Sequence, residues 1–127
     1  MRILFAEDDA DACKAVLRIF ENARDRQIVI ANNGAEAWWH LSRDPESFDL
    51  LVIDLNMPVV GGFDLLQRVR IEREMQSLPV ILMSGGSDRE TLLRAASLRV
   101  NGFLVKPFDR AALTQKIDEI EARRLVA

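Results

Sequence analysis

Five short apolar runs, each followed by a longer stretch with helical spacing, leave this chain few folds to choose from. The third run, Leu50 to Ile53, is apolar at every position, the pattern of a strand covered on both faces. Arg2 to Ala6, Gln27 to Ala31, Val80 to Met83 and Phe103 to Val105 read as the other strands. Between them lie helical patterns. One runs from about Ala10 to Ala23 with Cys13, Val16, Leu17 and Phe20 in phase. A second is capped by Asn33, with Glu36 three residues on and Ala37, Trp38 and Leu41 inward. A third runs from Gly62 to about Glu74 with Phe63, Leu66 and Val69 inward. The fourth starts at the capping box Ser87-Asp88-Arg89-Glu90 and carries Leu92, Leu93 and Ala96. Asp109 caps the last, with Leu113, Ile117 and Ile120 on one face. A βα unit repeated five times, joined by right-handed crossovers, gives a doubly wound α/β domain: a five-stranded parallel sheet between two layers of helices, five in all.

The totals narrow the function classes. A chain of 127 residues, 49% hydrophobic and 29% charged, makes one domain with a sizeable core. A single cysteine excludes an internal disulfide, and a single histidine excludes a Cys/His zinc cluster. The net charge of −3 disfavours direct contact with nucleic acid. No apolar run reaches membrane-spanning length and no basic leader opens the chain, so a cytoplasmic protein without membrane contact is expected.

Function turns on where the acids go. In ILFAEDDADA the first strand ends in Glu7, Asp8 and Asp9. The third strand ends in Asp54 within LLVIDLNMP, the fourth in Ser84 within VILMSGG, and the fifth in Lys106 within FLVKPF. Ligands of such sheets sit beyond the carboxyl ends of the strands. With the first and third strands adjacent, Glu7, Asp8 and Asp54 converge, and converging carboxylates repel unless a cation intervenes. A hard divalent cation such as Mg²⁺ suits oxygen ligands. Beside Lys106, it would favour an incoming phosphoryl group, with Asp54 as the attacking nucleophile. Other polar residues read more plainly: Asp9 as the first helix's cap, Cys13 as core filler, His40 as a surface or half-buried helix residue, and Trp39 as partly exposed surface packing.

Taken together, ILFAEDDADA, LLVIDLNMPVVGGFDLL, VILMSGG and FLVKPF resemble, in order and spacing, the receiver domain of bacterial two-component response regulators, of the stand-alone chemotaxis type. The resemblance spans essentially the whole chain. It implies a flavodoxin-like sheet in the order 2-1-3-4-5. It implies that Asp54 accepts phosphoryl from a sensor histidine kinase or phosphotransfer protein, with Lys106 and Ser84 as its catalytic companions. Glu7, Asp8, Asp54 and the backbone carbonyl of Asn56 would hold Mg²⁺. Ser84 and Phe103 would form the switch, and the Lys106-Pro107 peptide would be cis. The activated domain would present the face of the fourth helix, fifth strand and fifth helix to a downstream protein or to a second copy of itself.

Some positions depart from the family pattern. Glu7 replaces the commoner aspartate, Ser84 the commoner threonine, and Phe103 has no phenolic hydroxyl. Gly61 stands where an acid usually precedes Gly62, so the loop after Asp54 is expected to loosen. Arg99 stands where glycine often ends the fourth helix, which implies an irregular exit. In the family the residues two past the acceptor and two past the switch hydroxyl, here Asn56 and Gly86, influence loss of the phosphoryl group, so the resemblance implies that Gly86, without a side chain, leaves it accessible. The sequence ends soon after the last helix, in EARRLVA, so the expectation is a single receiver domain over residues 1–127 with no output domain; origin in a longer regulator stays open. Two rival readings are a haloacid-dehalogenase-like phosphatase and a non-phosphorylated scaffold. The first lacks its acid, because Asn56 occupies that position, and the second would have shed part of the acid–aspartate–lysine set. A regulator rather than an enzyme is therefore expected, limited to its own phosphotransfer and slow dephosphorylation.

Overall fold

The structure, a computed structural model, describes residues 1–126. Strands β1 (Arg2–Ala6), β2 (Gln27–Ala31), β3 (Leu50–Asp54), β4 (Val80–Ser84) and β5 (Gly102–Val105) alternate with helices α1 (Ala10–Phe20), α2 (Gly34–Arg43), α3 (Gly62–Ile71), α4 (Arg89–Ser97) and α5 (Arg110–Val126). All strand pairs are parallel, in the order β2-β1-β3-β4-β5. The doubly wound reading therefore holds. No helix among the described residues is long and apolar enough to cross a membrane.

Strand pleating sends alternate residues to opposite faces, and the core divides accordingly. Leu4, Leu51, Ile53 and Leu82 pack with Ala37 and Leu41 of α2, Leu65, Leu66 and Val69 of α3, and Ala95 of α4. Ile3, Phe5, Leu50, Val52 and Ile81 pack with Val16 and Phe20 of α1 and Leu113, Ile117 and Ile120 of α5. Every residue of β3 is buried, Asp54 included. The chemistry thus begins at the end of the most enclosed strand.

Caps fall largely where polar side chains invite them. Asp9 Oδ1 accepts from the Asp11 amide, Asn33 Oδ1 from Glu36, and Asp109 Oδ1 from Ala112. The fourth helix differs from expectation: Asp88, not Ser87, is its cap, because one carboxylate takes both the amide and the hydroxyl of Thr91, each at 2.9 Å. Leu92, Leu93 and Ala96 then face solvent, and Ala95 is the residue α4 buries. Helix α1 stops at Phe20 rather than Ala23, where the Ala23 amide turns back to the Phe20 carbonyl ahead of β2. Leu17 lies off the buried arc of Cys13, Val16 and Phe20 and is exposed. Helix α3 ends at Ile71 rather than Glu74, because the chain must fold back to bury Met75 and Leu78.

Trp38 is half-buried rather than in the core, and Trp39 is exposed with the Arg43 guanidinium 4.4 Å from its ring. Phe63 is also half-buried, under Arg94, while Leu65 takes the inward place. His40 is half-buried and Cys13 buried, as expected. The exit of α4 is irregular: Arg99 adopts φ 58°, and the amides of Arg99 and Val100 return to the carbonyls of Ala96 and Ala95.

Candidate functional site

Parallel strands bring the residues that follow or end β1, β3, β4 and β5 to one edge of the sheet. Just past β1, the Glu7 amide donates to the Ala31 carbonyl and prolongs the β1–β2 ladder. Its carboxylate is 1% exposed, Asp54 is also buried, and Asp8 faces solvent. One carboxylate oxygen from each of Glu7, Asp8 and Asp54 lies within 4.8 Å of the other two. Lys106 stands between the two buried acids: its Nζ donates to Glu7 Oε1 at 2.7 Å and lies 3.0 Å from Asp54 Oδ2. The Asn56 amide donates to Asp54 Oδ1 at 3.2 Å. Glu7 Oε2 is buried without a hydrogen-bond partner.

This arrangement is short of positive charge. Burial, and then the neighbouring Asp54 carboxylate, push Glu7 up to about 7, against the pull of Lys106. Burial also opposes the Lys106 ammonium, but its bonds to Glu7 and Asp54 outweigh that and raise its pKa. Two buried carboxylates sharing one ammonium, an orphaned oxygen and a third acid at the rim fit a hard divalent cation with oxygen ligands.

The remaining candidates lie around this centre. Ser84 ends β4 and is buried; its Oγ accepts from the Gly86 amide, and its carbonyl accepts from the Lys106 amide at 2.7 Å. Asp54 pairs in register with Met83, the residue before Ser84. Phe103 is half-buried against the core on the α4 side. Asn56 is exposed and touches Asp54 through its backbone. The Lys106-Pro107 peptide is cis.

Two features of the site go beyond what residue order implies. Lys106 also binds Glu7, a contact between residues 99 apart in sequence that its expected place beside Asp54 does not imply. The Gly61-Gly62 pair does not leave the loop open as expected. Instead the Gly62 amide closes the loop on the Leu55 carbonyl, and a β-carbon on Gly62 would stand 2.6 Å from the Asp54 carbonyl oxygen. Close backbone approach, another common reason for glycine, was the available signal.

Comparisons with known proteins agree with this geometry. The profile of the response regulator receiver domain matches residues 3–118. Chemotaxis protein CheY-3 of Vibrio cholerae is 34% identical over 123 residues, covering 97% of this chain and 93% of that protein. Chemotaxis protein CheY of Pseudomonas aeruginosa is 32% identical over 123 residues, covering 97% and 98%. Among solved structures, the receiver domain of Francisella response regulator 1452 has a TM-score of 0.84 at 26% identity, covering 97% of this chain and 98% of its own. Vibrio cholerae CheY4 matches in fold, with a TM-score of 0.84 at 24% identity and coverages of 94% and 97%. The chain belongs to the response regulator receiver domain family, a family of two-component signalling domains.

Proposed function

We propose that this receiver is a phosphorylation-operated switch whose acceptor is Asp54, charged by the phosphohistidine of a sensor kinase or phosphotransfer protein. The observation that carries the reading is the buried acid–lysine–acid arrangement, with Lys106 2.7 Å from Glu7 and 3.0 Å from Asp54 at the end of the central strand. Glu7, Asp8, Asp54 and the Asn56 carbonyl would hold Mg²⁺, which when bound supplies positive charge for the phosphoryl oxygens.

An Asp54 carboxylate oxygen attacks phosphorus in line. The P–O bond forms as the P–N bond breaks, and the electron pair of that bond stays on the imidazole nitrogen. Lys106, already in contact with Asp54, stabilises the charge that arrives. The Asn56 amide keeps the carboxylate oriented. Ser84 then follows the phosphoryl group with its hydroxyl, Phe103 fills the space beside it, and the surface of α4, β5 and α5 changes. Leu92, Leu93 and Val105 are exposed on those elements and are the apolar groups a downstream protein would cover. Open space around Gly86 leaves the phosphoryl group accessible to water.

Acetyl phosphate with Mg²⁺ should label the wild-type chain and not Asp54→Asn. Labelling that survives in Asp54→Asn would overturn the assignment. A generic phosphate ester should show no useful turnover, since Asn56 offers no titratable proton where a phosphatase of the haloacid type keeps its acid.

A further inference from the structure

A hollow of about 380 Å³ lies between α1 and the connection from β5 to α5, and the acceptor chemistry leaves it unused. Its size falls within the range of small-molecule sites, about 300–1,000 Å³. The floor is apolar, made by Phe5 of β1 and Met83 of β4, both buried. Ala12 and Ala15 keep the α1 wall low, and Phe108 stands on the opposite side. Such a lining favours an apolar body.

One buried polar group borders this lining. Phe5 and Glu7, two residues apart, share a face of the extended chain, and both line the hollow. Lys106 occupies Glu7 Oε1, but Glu7 Oε2 is buried without a partner. An unpaired carboxylate oxygen is costly to bury, and a hydrogen-bond donor relieves that cost. Charge selects the donor. Among the lining residues Glu7, Asp9 and Asp109 outnumber Lys106 and Arg110, and Asp8 and Asp54 each bring a carboxylate oxygen within 4.8 Å of one from Glu7. Lys106 is already shared between Glu7 and Asp54. The complementary head is therefore a cation.

We infer that this hollow is a binding site for a small organic monocation with a compact apolar body, its ammonium donating to Glu7 Oε2 and its body lying between Ala15 and Phe108. A guest so placed takes an oxygen that a divalent cation at the same acids would use, so the two exclude each other. The consequence for signalling rests on the functional reading above: an occupied receiver stays uncharged. The site itself does not depend on that reading.

The probe is 2-phenylethylamine, and its control is 2-phenylethanol, similar in shape and uncharged. In the metal-free full chain, amide NMR shifts of residues 12–19 and 106–110 should titrate with a Kd below about 1 mM for the amine and at least about tenfold higher for the alcohol. Mg²⁺ should displace the amine, and saturating amine at limiting Mg²⁺ should slow acetyl phosphate labelling of the wild type about tenfold. Ala15→Leu fills the hollow from an exposed helical position that leucine suits, so the fold is kept. It should weaken the amine about tenfold and leave labelling in its absence at the wild-type rate. Equal affinity for amine and alcohol, unchanged amine binding in Ala15→Leu, or amine and Mg²⁺ bound together would each overturn the inference. Amine binding as expected on a chain whose Asp54 is never labelled would overturn the functional reading and leave the site standing.

Discussion

Helices α5 and α4 cover the two faces of one sheet, yet they are fastened very differently. Along α5, Leu113, Ile117 and Ile120 are buried against the strands. Arg26 ties the helix to the α1–β2 connection through Asp118 at 2.6 Å and Glu121 at 3.2 Å, and Arg124 reaches Asp49 at 3.0 Å. Burial opposes the charge on Arg26, but its two acids outweigh that and raise its pKa. α4 has Ala95 in the core and little else; Leu92 and Leu93 turn outward. Its C-terminal end is instead clamped by Arg70 of α3, which donates to the carbonyls of Leu98 and Arg99 while also holding those of Gln76 and Leu78. Each buried aliphatic side chain contributes about 1.5–3 kcal/mol, so three of them outweigh one alanine several times over. An element with little buried apolar surface moves at low cost. The contrast makes α4, joined to the Ser84 loop at one end and tethered by Arg70 at the other, the more easily moved of the two helices.

The largest effect should come from the firm side. Ile117→Ala should lower the unfolding free energy by about 2–5 kcal/mol in urea titration. A loss under 1 kcal/mol would erase the contrast. Next comes the centre between the flanks. Glu7 is raised from 4.5 to about 7 in the folded protein, so its protonated form favours folding. That stabilisation is complete below pH 4.5 and fades as the pH rises through about 7. In metal-free buffer the wild type should therefore lose about 3 kcal/mol more than Glu7→Gln between pH 4.5 and pH 8. Parallel pH profiles for the two proteins would show that Glu7 carries no such burden.

Arg70→Met should cost about 1–3 kcal/mol by leaving carbonyls unpaired at the clamp. Hydrogen exchange should quicken in residues 89–98 and stay slow in α5; equal quickening in both helices would mean that Arg70 does not tether α4 selectively. The smallest effect belongs to Leu93→Ala, expected within about 0.5 kcal/mol of wild type. A cost as large as that of Ile117→Ala would show that Leu93 is buried in solution and would remove the asymmetry.

Much of this was legible from residue order. The run LLVID announced a central strand because burial on both faces demands consecutive apolar residues, and Asn33, Asp9 and Asp109 announced their helices through local capping bonds. The convergence of Glu7, Asp8 and Asp54 followed once β1 and β3 were placed side by side. What stayed hidden depends on packing between elements and on backbone choices that residue type alone does not decide. The outward turn of Leu92 and Leu93 reflects how α4 is seated, since its apolar residues are too few to define a face. The capping box beginning at Ser87 yields to Asp88, whose carboxylate accepts from both the amide and the hydroxyl of Thr91. Nothing in MPVVGG announces that a valine takes a positive φ, because propensity points the other way.

At the start of α2, Gly34 has the Val60 backbone so close that any larger residue would have to push that loop aside. Gly34 bears no chemistry and lies far from Asp54 along the chain. A genetic screen for signalling-dead alleles should nonetheless recover replacements there beside those at the acceptor, and the mutant proteins should be folded, with a displaced loop as their defect.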